Sequence, residues 1–339
     1  MRLPKRIRFP KFKHYFQNRA LVLMYHRINT PASDPWKLSV DPELFEQQLI
    51  FFKKHYSVIS SDELVTEMAT GRIGNRSIVL TFDDGYRDNY ETARPLLEKH
   101  AVPASFFITD SYLDGNQPFW WDELEYIIVH SKELPSVFSI SMNNEDLHFD
   151  LADEAVLNED MQEKHRKYNA LKPPTKRTRL YLTLWNAFSP MQKDEQQQFL
   201  QLIRQWAGLS AEETMVDGGM SRKQLQELSA NGLFTIGGHT SNHLALDHHS
   251  IDVQSKEISE NKQFLEGLIG KEIHHFSYPS GKYNEATIKL LEENDYQAAY
   301  AGRTGPIVKN TDPFLIPRLQ INNWNFEKFR KVLEKTFKS

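Results

Sequence analysis

Short apolar runs alternate with amphipathic patterns along most of the chain. The runs are rich in branched and aromatic residues and predict strands near 21 to 25, 56 to 59, 77 to 82, 104 to 109, 233 to 237, 274 to 278, 298 to 301 and 315 to 321. Apolar residues at helical spacing predict helices at 43 to 55, 61 to 69, 87 to 100, 253 to 268 and 284 to 294, with Ser61 and Asn284 as caps. Because strand and helix alternate, we expect an α/β fold, a distorted (β/α) barrel.

The interval 113 to 220 interrupts this alternation. It follows the strand ASFFIT, is long and charged, and predicts helices near 121 to 131, 152 to 170, 175 to 188 and 191 to 206. We interpret it as a helical insertion that covers part of the active-site rim. The predicted division of the chain is a basic arm at 1 to 19, a discontinuous barrel at 20 to 112 and 221 to 325, the insertion at 113 to 220, and a C-terminal helix at 326 to 339.

Two polar motifs lie where predicted strands end. SIVLTF is followed at once by Asp83, Asp84 and Gly85, and LFTIGG is followed by His239 and, four residues later, His243. In parallel sheets the carboxyl ends of the strands are where ligands and catalytic groups gather. Each motif alone is commonly a solvated turn or an incidental histidine pair, but together they predict a metal site.

The residue types suit metal-assisted hydrolysis. A spacing of four residues places two histidines on one side of a helical turn, and an adjacent aspartate completes a set of two imidazoles and one carboxylate. Such a set leaves a coordination position open for water, whose pKa the metal lowers to about 7. The second aspartate is then free to act as a base. We expect one divalent ion, zinc first, with cobalt or nickel as alternatives.

Composition narrows the chemistry further. The chain has 339 residues and no cysteine, which excludes disulfides, thiolate ligands and a cysteine nucleophile. It has no run of 18 apolar residues, and its basic start lacks the apolar stretch of a secretory signal, so we expect a cytoplasmic location.

The motifs TFDDGY, HTSNH and FSYPSGKY resemble those of the polysaccharide deacetylases, carbohydrate esterase family 4, over roughly residues 20 to 112 and 218 to 325. That family removes N-acetyl groups from amino sugars, and its fold is a distorted barrel. The resemblance implies that Asp83 is the general base and that Asp84, His239 and His243 bind the metal. It also implies that the backbone N–H of Ser280 helps to hold the oxyanion.

The sequence departs from the commonest family pattern at two places. Serine stands at 277 and 280, where an arginine and a tyrosine are usual, and no histidine is present in the late run Leu319-Gln320-Ile321. A branch of the family is similar in placing its proton donor on the opening strand, which implies that His26 is the acid; a histidine with satisfied hydrogen bonds is the alternative. Arg318 is the candidate to orient Asp83, with a structural salt bridge as the alternative.

Substrate contacts are expected from aromatic residues beside these motifs. Trp120 and Trp121 open the insertion and could stack on sugar rings or anchor the insertion to the barrel. The remaining predicted substrate-binding residues are Tyr86, Tyr278 and Pro279. Asp122 and Glu123 are interpreted as charges at a helix N-terminus rather than as catalytic acids.

The first 19 residues carry seven basic side chains and no acidic one, a local charge of +7. This arm predicts peripheral contact with an anionic membrane surface, at about 1 kcal/mol per basic residue, and a solvated tail is the alternative. The acidic remainder of the chain argues against nucleic acid as a partner.

The leading functional hypothesis is a metal-dependent deacetylase of an N-acetylated glycan or lipid-linked saccharide. A deformylase of a lipid-linked amino sugar would use the same residues. A catalytically silent carbohydrate-binding protein is the third hypothesis, and the intact set of Asp83, Asp84, His239 and His243 argues against it.

Overall fold

The computed structural model of the protein describes residues 18 to 114, 118 to 142, 145 to 210 and 218 to 339. The basic arm predicted at 1 to 19 therefore lies almost entirely outside the described residues. Eight strands form the main sheet: β1 (Ala20–Tyr25), β2 (Ser57–Val58), β3 (Ser77–Phe82), β4 (Ala104–Ile108), β7 (Phe234–Gly238), β8 (His275–Ser277), β9 (Ala298–Ala301) and β10 (Ile316–Gln320). Each lies within two residues of its predicted bounds.

Seven of these strands close into a parallel barrel. The order around the ring is β1, β10, β9, β8, β7, β4 and β3, and β3 pairs again with β1. The pair Val22 with Arg318 joins the first strand to the last, and Val22 with Val79 joins β1 to β3. β2 adds two residues beside Ser77 and Ile78 at the start of β3. The predicted (β/α) barrel is confirmed, and all carboxyl strand ends open at one face.

Helices surround the barrel and precede or follow its strands: α1 (Pro42–His55), α2 (Ser61–Thr70), α3 (Arg94–Lys99), α8 (Arg222–Ala230), α9 (Ile251–Ile269), α10 (Glu285–Glu293) and α11 (Phe326–Lys338). A π-helical turn at Asn89–Ala93 precedes α3, so the predicted helix at 87 to 100 is present in two segments. Asn284 caps α10 as predicted. The cap of α2 is Ser60, whose side chain accepts from Glu63 N; Ser61, predicted for this role, is a buried residue of the first turn.

The segment between β4 and α8 contains α4 (Trp120–Glu125), a π-helical turn (Tyr126–His130), α5 (Glu159–Lys167), α6 (Lys176–Phe188) and α7 (Lys193–Ala207). It also contains an antiparallel hairpin of β5 (Val137–Met142) and β6 (Glu145–Asp150), which we did not predict. The helix predicted at 152 to 170 is shorter because Asn158 caps α5, accepting from Met161 N.

Separate hydrophobic clusters hold the barrel and this segment. One cluster packs helices onto the outside of the barrel and includes Phe45 and Leu333, and a smaller one centred on Phe107 and Tyr300 fills the barrel interior. A third contains Trp121, Leu184 and Ile203 and belongs almost wholly to the segment between β4 and α8. Within the described residues, every helix is too short or too polar to span a lipid bilayer.

Candidate active site

The chain turns sharply where β3 ends. The N–H of Asp83 still donates to Tyr25 O at 3.0 Å, which continues the pairing of β3 with β1. The next two residues are left-handed, with φ 75° at Asp84 and 82° at Gly85. Aspartate and glycine are the residue types that tolerate this region. The turn therefore gives the two neighbouring carboxylates different surroundings, and each makes its own set of contacts.

Asp84 lies against the two histidines that follow β7. Its Oδ1 atom is 3.2 Å from His239 Nε2 and 3.3 Å from His243 Nε2, and one ligand atom from each of the three residues lies within 4.8 Å of the others. Asp84 Oδ1 is buried and accepts no hydrogen bond of good geometry from the described residues, although both rings are near. A buried acceptor without a donor is costly. The donor set and this orphaned oxygen both fit a divalent cation.

The ring of His239 is held in a defined orientation. Its Nδ1 donates to the backbone carbonyl of Ser277 at 2.7 Å, which leaves the Nε2 lone pair free on the side of Asp84. The predicted helical turn between the histidines is wrong: Thr240 and His243 are left-handed, with φ 61° and 57°. An irregular loop nevertheless brings the two imidazole centroids to 5.0 Å.

Asp83 is bound by a buried arginine. Arg318 Nη1 donates to Oδ1 at 2.7 Å and Nη2 donates to Oδ2 at 2.8 Å. The hydroxyl of Ser277 donates to Asp83 Oδ2 at 3.1 Å and accepts from Arg318 Nη2 at 2.8 Å. Burial, the largest single influence, acts to raise the pKa of Asp83, but the charge and hydrogen bonds of Arg318 together with the nearby His239 and His26 outweigh it, so the pKa lies below its ordinary value. The carboxylate is therefore ionised and fixed in position.

His26 follows β1 at the same face of the barrel and lines the same cavity as Asp83 and Asp84. Its Nδ1 is buried and has no hydrogen-bond partner in the part of the chain that the structure describes. The alternative of a histidine with both nitrogens satisfied does not describe this geometry. Burial, the largest influence, lowers the pKa of His26 below its ordinary value.

These side chains line one cavity of about 300 Å³. Its wall combines the polar cluster with aromatic and small residues: Met24, His26, Trp36, Leu38, Asp83, Asp84, Trp120, Trp121, Trp185, Ser189, His239, His243, Ala245, Tyr278, Ser280, Gly281, Gly302, Arg318 and Gln320. Of the predicted substrate-binding residues, Trp120, Trp121 and Tyr278 line it. Tyr86 and Pro279 are buried and do not. The hydroxyl of Tyr86 instead accepts from Trp121 Nε1 at 2.8 Å, so Tyr86 supports the wall from behind.

Both adjacent tryptophans pack within the segment between β4 and α8 and also line the cavity. Trp121 lies 4.7 Å from the ring of His243, and Trp120 packs on Trp185 and Phe188 at 5.9 and 5.7 Å between centroids. The same rings that pack within this segment therefore also form part of the cavity wall, and their stacking on sugar rings stays a prediction.

The cavity wall also contains Trp36 and Trp185, which we did not predict from the sequence. Trp36, from the loop after β1, packs on Trp185 of α6 with centroids 4.4 Å apart. Its indole N–H donates to the hydroxyl of Tyr181 at 3.0 Å, and Gln320 Nε2 donates to its carbonyl at 3.2 Å. Neither Trp36 nor Trp185 belongs to a motif, so the sequence marks them only as tryptophans.

The chain is similar to known deacetylases over most of its length. The poly-β-1,6-N-acetyl-D-glucosamine N-deacetylase of Staphylococcus epidermidis is 21% identical over 334 residues, which are 92% of this chain and 82% of that protein. The enzyme of the same name from Staphylococcus aureus is 29% identical over 123 residues, 32% of this chain and 42% of that protein. YxkH of Bacillus subtilis is 25% identical over 103 residues and is matched over 37% of its length. Two of these relatives are thus matched over less than half of their length.

Solved structures show the same fold. The Streptococcus pyogenes deacetylase PplD, in complex with acetate, superposes with a TM-score of 0.53 at 18% identity, over 95% of this chain and 99% of that one. A de-N-acetylase from Aggregatibacter actinomycetemcomitans gives 0.55 at 16% identity, over 93% and 99%. The family model for polysaccharide deacetylases matches residues 70 to 145 and 185 to 299, more than half of the chain. The protein therefore belongs to the polysaccharide deacetylase family.

Proposed function

We propose that this protein is a metal-dependent N-deacetylase that removes acetyl groups from amino sugars of a polysaccharide or lipid-linked saccharide. The observation that carries the proposal is the convergence of Asp84, His239 and His243 in one cavity with Asp83 beside them. A binding protein would have no need for a buried, ionised carboxylate fixed next to three metal-ligand side chains.

Asp84, His239 and His243 would hold the cation. When bound, a divalent ion supplies Lewis acidity, which makes a water molecule acidic enough to react at neutral pH. Two imidazoles and one carboxylate suit zinc first, with cobalt or nickel as alternatives. The Ser277 carbonyl keeps His239 in the tautomer that binds a cation.

The remaining steps belong to protein side chains. Asp83 accepts a proton from the attacking water, and Arg318 keeps its carboxylate oriented. The backbone N–H of Ser280 donates to the developing oxyanion. His26 then gives a proton to the departing nitrogen as the carbon–nitrogen bond breaks, so that acetate and a free amine result.

The cavity wall fits a saccharide. Trp120, Trp121 and Trp185 offer flat apolar faces, and aromatic faces of this kind pack well against the apolar face of a sugar ring. Similarity to enzymes named for poly-β-1,6-N-acetyl-D-glucosamine makes β-1,6-linked N-acetylglucosamine oligomers the first substrate to test.

The test is acetate release from such oligomers by metal-free protein, with zinc, cobalt or nickel added back. We expect release that depends on the added ion and stops with a chelator. Formate release from an N-formyl analogue, with no acetate from the N-acetyl substrate, would indicate the deformylase instead. No product with any ion would contradict the proposal.

A further inference from the structure

A second cavity, of about 350 Å³, lies next to the first. Three residues line both cavities: Trp36, Leu38 and Trp121. Cavities of about 300 to 1,000 Å³ hold small organic ligands, so each has room for a ligand group. The proposed mechanism uses only the first.

The two cavities differ in chemistry. The first holds the metal-ligand residues and several aromatic rings, whereas the second is lined by the carboxyl groups of Asp34, Asp122 and Glu125. Its one strongly basic residue is Arg27, which already donates to Asp88 at 2.9 Å and lies 3.9 Å from Asp122. The second cavity is therefore acidic.

Glu125 and Asp34 are the carboxyl groups of this wall that form no salt bridge within the described residues. Asp34 is satisfied by the backbone N–H groups of Leu38 at 2.8 Å and Ser39 at 3.0 Å, whereas Glu125 has only hydroxyl donors. The Oε1 atom of Glu125 accepts from the hydroxyls of Ser33 at 2.6 Å and Tyr168 at 2.9 Å, and no lysine or arginine in the described part of the chain pairs with it. His130, also in the wall, contacts Ser33 at 2.8 Å, and burial lowers its pKa to about 4, so it is neutral. Burial raises the pKa of Glu125 to about 7, which a cationic ligand would offset.

Another polar atom in this wall lacks a protein partner. Asn29 Oδ1 is buried and accepts no hydrogen bond within the described residues. Together with the uncompensated Glu125, it offers acceptors for a ligand that carries several N–H or O–H donors. An ammonium group is the donor that both acceptors favour, because its hydrogen bonds are charge-assisted.

We infer that the second cavity binds a neighbouring sugar unit that has already lost its acetyl group, with its ammonium facing Glu125. This inference rests on the proposed function and deepens it. The favoured substrate is then a partly deacetylated chain of at least two units, one in each cavity. Since each reaction creates an amine, a chain that moves on by one unit would place its own product in the second cavity.

The test uses three β-1,6-linked glucosamine pentamers with a ¹³C-acetyl group on the central unit. One is fully N-acetylated, and the other two carry one free amine next to the central unit, on the reducing or the nonreducing side. With the metal-loaded full chain, we expect kcat/KM for labelled acetate to be about tenfold higher for one amine isomer than for the fully acetylated pentamer.

Glu125→Gln keeps one oxygen acceptor for Ser33 and Tyr168, removes the charge and replaces the second carboxylate oxygen with an amide NH2 group. We expect it to abolish the preference by lowering kcat/KM for the favoured amine isomer about tenfold, to the level of the fully acetylated pentamer. Glu133→Gln, an exposed control outside both cavities, should retain the preference. Equal rates for all three pentamers, or a preference that survives Glu125→Gln, would overturn the inference. No labelled acetate from any pentamer would overturn the proposed function itself, and the inference with it.

Discussion

Arg318 donates two parallel hydrogen bonds, of 2.7 and 2.8 Å, to the carboxylate of Asp83. The side chain of Arg318 is 1% exposed and that of Asp83 is 3% exposed. The family pattern expects an arginine at 277 on β8, but here it comes from β10. Ser277 lies between the two groups and bonds to both. A bidentate pair fixes the plane of a carboxylate as well as its charge. The carboxylate that we propose as the base is thus oriented from a different strand.

Replacing the base should separate chemistry from metal binding. We expect Asp83→Asn to retain the metal and to lower turnover by about 10² to 10⁴, because the amide cannot accept the proton from water. The variant should also lose roughly 3 kcal/mol of stability, because the buried Arg318 charge loses its partner. Metal analysis, acetate release and urea unfolding measure the three quantities. Turnover within tenfold of the parent would contradict the role of Asp83.

Removing a proposed metal ligand should instead abolish metal binding. We expect His243→Ala to lose the metal on dialysis, because only Asp84 and His239 remain to bind it. The control is His248→Ala, which removes an exposed imidazole five residues later in the chain. If the His243 variant keeps a full equivalent of metal, the proposed ligand set is wrong.

The proton donor can be tested through the leaving group. We expect His26→Gln to slow amide hydrolysis by about 10² to 10⁴. Stability should change little, because His26 Nδ1 has no hydrogen bond to lose. Hydrolysis of 4-nitrophenyl acetate should be much less affected, since its leaving group departs without a proton. An equal loss on both substrates would indicate a role in binding or structure instead.

Glu125 should add a pH-dependent component to stability. Burial raises its pKa from an ordinary value of 4.5 to about 7, so the folded chain binds more protons than the unfolded chain between these pH values. The contribution of protonated Glu125 to the free energy of unfolding is therefore fully present below pH 4.5 and is lost as the pH rises through 7. The stability of Glu125→Gln relative to the parent should rise over this range, by at most about 3 kcal/mol. Urea unfolding at pH 4.5, 6 and 8 measures it, and a constant difference would contradict the shift.

Alanine substitutions at two glycines test how tightly the chain is packed around the barrel. A Cβ on Gly237 would lie 2.5 Å from a ring carbon of Phe107 and 2.7 Å from the carbonyl of His275. We expect Gly237→Ala to destabilise the protein by about 1 to 3 kcal/mol through overpacking. A Cβ on Gly232 would meet nothing within 4 Å, so Gly232→Ala should change stability by less than about 0.5 kcal/mol. Thermal unfolding of the two variants should show this contrast.

The strands of the barrel could be predicted from the sequence because each is a short apolar run. β3 was predicted with its observed bounds, Ser77–Phe82. The hairpin of β5 and β6 could also have been predicted from the sequence. Phe138, Ile140, Leu147 and Phe149 alternate with polar residues on either side of two asparagines, a pattern typical of a hairpin. We missed it because the helical spacing of the flanking segments dominated the interpretation.

Other features depend on tertiary structure and have no local signature. The spacing of His239 and His243 predicted a helical turn, whereas two left-handed residues bring the rings together. Trp36 and Trp185 are distant in the chain and meet only because the insertion packs on the loop after β1. For the same reason, the sequence could not place Tyr86 behind the cavity wall rather than in it.

The pairing of β1 with β10 has a consequence for folding. Val22 pairs with Arg318, so the strand that carries the guanidinium is the last of the ring to be synthesised. A nascent chain that has not yet produced β10 already contains both carboxylates and both histidines proposed to bind the metal, but it lacks Arg318, the group that binds both oxygens of Asp83. Such a chain could capture an ion and still be inactive, and competence for hydrolysis would begin only when the final strand docks.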